Sequence, residues 1–193
     1  MKKTVLHYVK PLTAYECLNR LILQINNKSI KLRYSDKVSF VNHNELISDV
    51  IVKGLLAKRY GGLESSNVLV IASNNHFDFY QCINIATKKY KININKVLDH
   101  VIITRVFTIY QLAYTLTQEL PELIKKYEPQ LLVIISDLFL TDEKVRKEEK
   151  ERIIRNTVKS LEYVRTLSMI VVIFSTHDIK QLTNYKIYGE FLE

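Results

Sequence analysis

Glycine is scarce in this 193-residue chain: Gly54, Gly61, Gly62 and Gly189 are the only four. Glycine-rich phosphate cradles need several glycines at fixed offsets, because the backbone must turn tightly and present its N–H groups to the anion. Neither G-x-G-x-x-G nor G-x-x-x-x-G-K-S/T can be written with these four, which excludes a nucleotide loop of either kind. Cysteine is as thin. Cys17 and Cys82 stand apart with no C-x-x-C, so neither a disulfide scaffold nor a cysteine-built zinc site is indicated. No run of about 18 apolar residues occurs, and Met1-Lys2-Lys3 leads into no signal-type segment. A soluble, cytoplasmic protein with no membrane partner is expected. With 47% hydrophobic and 25% charged residues the chain has enough apolar surface for a packed core, which argues against disorder.

What the chain does have is positive charge, +8 in all, unevenly spread. Residues 1–37 carry Lys2, Lys3, Lys10, Arg20, Lys28, Lys31, Arg33 and Lys37 against only Glu16 and Asp36. Such asymmetry points to an acidic partner such as nucleic acid, or to a solvated basic surface. Lys2, Lys3, Lys10, Lys28, Lys31 and Arg33 are the DNA-binding candidates. Residues 1–36 read as a basic N-terminal appendage, with a helix from Thr13 to Ile25 and a loop, ahead of a single core domain over 37–193.

Five short apolar runs rich in Val and Ile punctuate that core: Val38–Val41, Val68–Ala72, Val101–Val106, Leu131–Ile135 and Ile170–Phe174. Continuous apolarity marks strands buried on both faces of a parallel sheet. Between them lie stretches with helical spacing. Leu46 to Leu56 runs up to Gly61-Gly62, and Phe79, Ile83 and Ile85 lead to the basic end Lys88-Lys89. Pro121 falls inside the pattern of Tyr110 to Tyr127 and is expected to kink that helix or divide it, and Asp142 to Leu167 pairs an apolar face with mixed charge. The alternation predicts a three-layer α/β/α fold with a mainly parallel central sheet of about five strands. Lys186-Ile187-Tyr188 offers one more short edge strand.

Ligands of such sheets bind at the carboxyl ends of the strands. The residues there are Asn42-His43-Asn44, Ser73-Asn74-Asn75-His76, Thr108, Ser136-Asp137 and Ser175-Thr176-His177-Asp178. The last four cannot form a nucleophile–base relay among themselves, since consecutive residues project in different directions. His76, Asp78 and Cys82 match no usual metal spacing, and no metal is expected.

Several of these segments together resemble one family. Val97-Leu98-Asp99-His100-Val101-Ile102-Ile103-Thr104-Arg105-Val106-Phe107 is similar to V-L-D-N-I-x-x-A-R-A-F of the RadA recombinases and their paralogues. Val68 to Phe77 resembles the strand that ends D-T-E-G-T-F, and Pro129 to Ser136 resembles the Walker B strand P-x-L-h-V-I-D-S. Ile170 to His177 lies where that family has a strand ending T-N-Q. The likeness covers roughly residues 38–178 and implies a RecA-like ATPase core.

The departures bear on activity. Asn42-His43-Asn44-Glu45-Leu46-Ile47-Ser48 replaces the P-loop, Asn74 stands where the water-activating carboxylate belongs, and Ile135 takes the Walker B aspartate position. Asp137, two residues on, is the remaining candidate metal ligand, and Lys53 lies too far along the next helix to replace the P-loop lysine. Phosphoryl transfer depends on positioned charges and metal, so the resemblance implies an inactive ATPase with no cofactor. Its degenerate nucleotide site comprises Asn42, His43, Asn44, Asn74, Asp137 and His177. Few residues follow His177, the family's second DNA-binding loop and closing strands are not expected, and its F-x-x-A polymerisation motif is absent. The implied function is a non-hydrolysing accessory protein in DNA recombination or repair. It would bind a RadA-type recombinase or paralogue, DNA, or both, with self-association open. The alternatives are a KaiC-like regulatory or structural subunit with no DNA role, and an enzyme using the strand-end cluster for unrelated chemistry, for which no nucleophile–base pair can be named.

Overall fold

A computed structural model describes residues 20–25, 28–33, 36–65, 67–73, 77–138, 145–165, 169–176 and 186–188, with backbone alone at 28, 165 and 186–188. It opens on an antiparallel hairpin of β1 (Arg20–Ile25) and β2 (Lys28–Arg33), in register from Arg20 opposite Arg33 to Ile25 opposite Lys28. The helix expected from Thr13 to Ile25 is corrected over 20–25, while 13–19 lies outside the described residues. The run Leu21-Ile22-Leu23-Gln24-Ile25 is too short to separate a period of 2 from one of 3.6. Ile30 and Leu32 decide the matter, because they join Leu21, Leu23 and Ile25 in one buried face that only a ribbon can assemble.

The five expected apolar runs are all strands. They are β3 (Lys37–Val41), β4 (Val68–Ser73), β5 (Val101–Val106), β6 (Leu131–Ile135) and β7 (Ile170–Ser175). Lys186–Tyr188 forms β8 on the edge, pairing with β3. Every pairing in this sheet is parallel, in the order β5-β4-β6-β7-β3-β8. Its connections carry α1 (Ile47–Leu55), α2 (Phe79–Asn84), α3 (Ile94–His100), α4 (Ile109–Tyr114), α5 (Leu120–Tyr127) and α6 (Lys147–Arg165).

Alternate residues of the strands feed two cores. Val68, Val70, Leu131, Val133, Ile170 and Val172 share one with the hairpin, α1, α2 and α3. Leu69, Ile71, Leu132, Ile134, Val171 and Ile173 share the other with α4, α5 and α6. The result is the expected three-layer α/β/α sandwich, its strands apolar throughout because both faces are covered. Gly54 lets α1 lie close on the sheet, since a Cβ there would come within 2.5 Å of Val68 Cγ2. Pro121 does not split its helical stretch, which stays helical from Ile109 to Tyr127. Just ahead of it the pattern changes to a π turn over Thr115–Glu119, whose closing N–H, from Leu120, reaches back five residues to Thr115 O. No described helix is long and apolar enough to cross a membrane.

Candidate functional site

The sheet order sets where a ligand-sized crevice can form. The chain leaves β4 toward the edge strand β5 but leaves β6 in the opposite direction, toward β7, so the connections part above the carboxyl ends of β4 and β6. Ser73, Ser136 and Ser175 stand level there, one residue past the matched Ala72, Ile135 and Phe174. All three are buried, and among the described residues the Ser73 hydroxyl has no hydrogen-bond partner. Asn74, Asn75, His76 and His177, which follow β4 and β7 in sequence, lie outside the described residues.

The structure uses the other candidates to fasten the strand ends together. Asn42 takes a left-handed conformation, φ 59°, and donates its N–H to Ser175 O at 3.0 Å, joining β3 to β7. Asp137 Oδ1 accepts the Thr176 N–H at 2.6 Å, and Ser136 N–H donates to Phe174 O at 3.0 Å, joining β6 to β7. His43 packs edge-on against Phe40, with ring centroids 6.2 Å apart, and Phe40 in turn stacks on Phe174. Its Nδ1 lies 3.0 Å from Glu45 Oε1, and its buried Nε2 has no partner among the described residues. Asn44 is exposed and opens a 3₁₀ turn, Asn44–Leu46, ahead of α1. Thr108 instead caps α4, accepting from Gln111 N–H at 3.1 Å.

An anion has little to hold it at this end of β3. The start of α1 has no side-chain cap, and Glu45 in the turn before it and Asp49 in its first turn are both acidic. A helix start of that sign disfavours phosphate. Lys53 does not reach the strand ends: its Nζ donates to Ile22 O of the hairpin at 2.6 Å and lies 3.6 Å from Asp49 Oδ2.

That contact belongs to a polar cluster the sequence reading passed over. Asp49 Oδ1 also accepts from Lys89 Nζ at 2.6 Å and from Tyr90 OH at 2.7 Å, so one buried carboxylate joins α1 to the turn after α2. The available signal was the Asp49–Lys53 pair, spaced i,i+4 in a helix apolar on every other side. Burial alone would raise the Asp49 pKa, but Lys53, Lys89 and the Tyr90 hydroxyl outweigh it and hold the carboxyl below its ordinary range. Burial lowers Lys53 despite Asp49. Burial also pushes the Cys82 thiol up to about 11, and burial together with the Asp49 charge pushes the Tyr90 hydroxyl upward.

These shifts have a sign that can be measured. Cys82 and Tyr90 keep their protons in the folded state at pH values where the unfolded chain has released them, so both make stability fall as pH rises. For Cys82 the window runs from its ordinary 9.0 to about 11, worth on the order of 3 kcal/mol once complete. Lys53, with a lowered pKa, opposes this loss. The urea midpoint is therefore expected to drop between pH 9 and 11, and to drop less steeply in Cys82→Ala. Parallel curves for the two proteins contradict the assignment to Cys82.

Of the DNA-binding candidates, Lys31 and Arg33 stand exposed on β2. Lys28 is the first residue of that strand, in register with Ile25, and its side chain lies outside the described residues, as do Lys2, Lys3 and Lys10. Among the described residues no group of three His, Cys, Asp or Glu side chains is placed to hold a metal ion. Asp78 caps α2, accepting from Tyr80 N–H. No protein-family model matches the chain, and no curated protein matches it.

Proposed function

We propose that this chain is a cytoplasmic accessory protein of DNA recombination, akin to a RadA paralogue, in which a RecA-like core serves as a binding platform and no longer handles ATP. In this reading the carboxyl-end face of the sheet docks a RadA-type recombinase or paralogue, and the basic N-terminal part meets DNA. The observation that carries it is the use made of the nucleotide-site positions. Asn42 N–H is spent on Ser175 O, and Asp137, the candidate metal ligand, accepts the Thr176 N–H. A backbone amide and a carboxylate oxygen engaged in this way brace a polar surface, and the amide is not offered to phosphate. The order of the family-like segments along β4, β5, β6 and β7 supports the same reading. The basic hairpin favours it over a KaiC-like subunit with no DNA role.

Calorimetry with Mg-ATP tests the loss of nucleotide chemistry. No saturable heat is expected at protein concentrations that would register a micromolar Kd, a binding free energy of about −8 kcal/mol. A micromolar Kd overturns the reading and assigns an anion site to Asn42–Ser48.

A further inference from the structure

We infer that the outer face of the β1–β2 hairpin, together with the turn Lys58–Tyr60, forms one phosphodiester-binding surface for duplex DNA; this rests on the DNA-associated reading above and names its contact residues. The register puts Arg20 opposite Arg33 and Ile22 opposite Lys31, so these four side chains share one face of the ribbon. The other face carries Leu21, Leu23, Ile25, Ile30 and Leu32 into the core and fixes the ribbon's orientation. Lys58 and Arg59 come alongside in a 3₁₀ turn whose next residue, Gly61, accepts the Ile22 N–H at 2.9 Å. Gly61 has φ 81°, and a Cβ there would sit 3.2 Å from Ile22 Cβ, which holds the turn close against the hairpin. The Arg59 guanidinium lies 4.9 Å from the centre of the Tyr60 ring.

The surface thus gathers Arg20, Lys31, Arg33, Lys58 and Arg59. Among the described residues of the hairpin, its exit and this turn, Asp36 is the one carboxylate, and its Oδ2 accepts the Arg33 N–H. A merely solvating surface intersperses the two signs, as α6 does with Glu149 3.7 Å from Arg152.

Fluorescence anisotropy with a duplex DNA probe across a salt series tests the surface. Each phosphate contact adds about 0.9 to the slope of log affinity against log salt. The wild-type chain is expected to bind, and Arg20→Gln/Lys31→Gln/Arg33→Gln to reduce its salt-induced loss of affinity between 50 and 200 mM by about 40-fold. Lys58→Gln/Arg59→Gln is expected to reduce it by about 12-fold. The second variant lies on a different element and decides the matter if the first does not melt cooperatively. Wild-type slopes in both folded variants overturn this surface and leave a DNA role to other lysines. No duplex binding by the wild-type chain overturns the surface and the DNA-associated reading together.

Discussion

Replacing Asp49 with Asn is expected to lower the unfolding free energy by about 3–5 kcal/mol and the melting temperature by roughly 6–20 °C. The carboxylate is the shared partner of Lys53 Nζ, Lys89 Nζ and the Tyr90 hydroxyl. Asn keeps the shape and removes the charge. Lys89, whose side chain is 54% exposed, can turn to water once released, but Lys53, at 8%, cannot. Its ammonium would remain buried beside the Ile22 carbonyl that it donates to, and breaking a buried pair from one side leaves such a charge uncompensated. Adding Lys53→Met removes that charge, so the double variant is expected to regain much of the loss, with a coupling energy on the order of 2 kcal/mol. Urea denaturation of the three variants measures all of this. An Asp49→Asn unfolding free energy within about 1 kcal/mol of wild type contradicts a structural role for the cluster.

The acid limb follows from the same carboxylate. Because Asp49 is held below its ordinary range, the stability it contributes is present above the unfolded carboxylate pKa and disappears as pH falls through the folded one.

The sheet was legible because both its faces are covered. Val101–Val106 and Leu131–Ile135 announce themselves as continuous apolar runs, and the strands keep those limits. Pro121 was readable as a disturbance of the helical ladder, since it has no N–H to give, but the ladder shifts to a π turn ahead of it and is not divided. The hairpin was not, because six residues of β1 fit either period and the partners that settle it lie on β2. The location of the strand-end candidates followed from topology, yet their use did not. That Asp137 accepts from Thr176, 39 positions away, and that Asn42 turns left-handed to reach Ser175 depend on how three strand ends meet in space. The Asp49–Lys53 pair was in plain view as an i,i+4 spacing. What hid its importance was that such pairs lie mostly on solvated faces, whereas the helix carrying this one is buried along its whole length.

Docking through the carboxyl-end face implies an equally large effect from a change at its rim. Asn44 and Glu45 are exposed in the turn between β3 and α1, beside the braced ends of β3 and β7. Two arginines placed there would be buried by a partner seated on this face. Unmatched charge in such a contact costs several kcal/mol, and about 3 kcal/mol corresponds to roughly 100-fold in Kd. Neither residue contributes to the buried cores, so the fold is expected to stand. The decisive measurement is the affinity of purified RadA-type recombinase for the wild-type chain and for folded Asn44→Arg/Glu45→Arg, read by pull-down and confirmed by a binding isotherm. Capture by the wild-type chain, weakened about 100-fold in the variant, is the expected result; no capture by the wild-type chain, or equal capture by both, would contradict docking through this face.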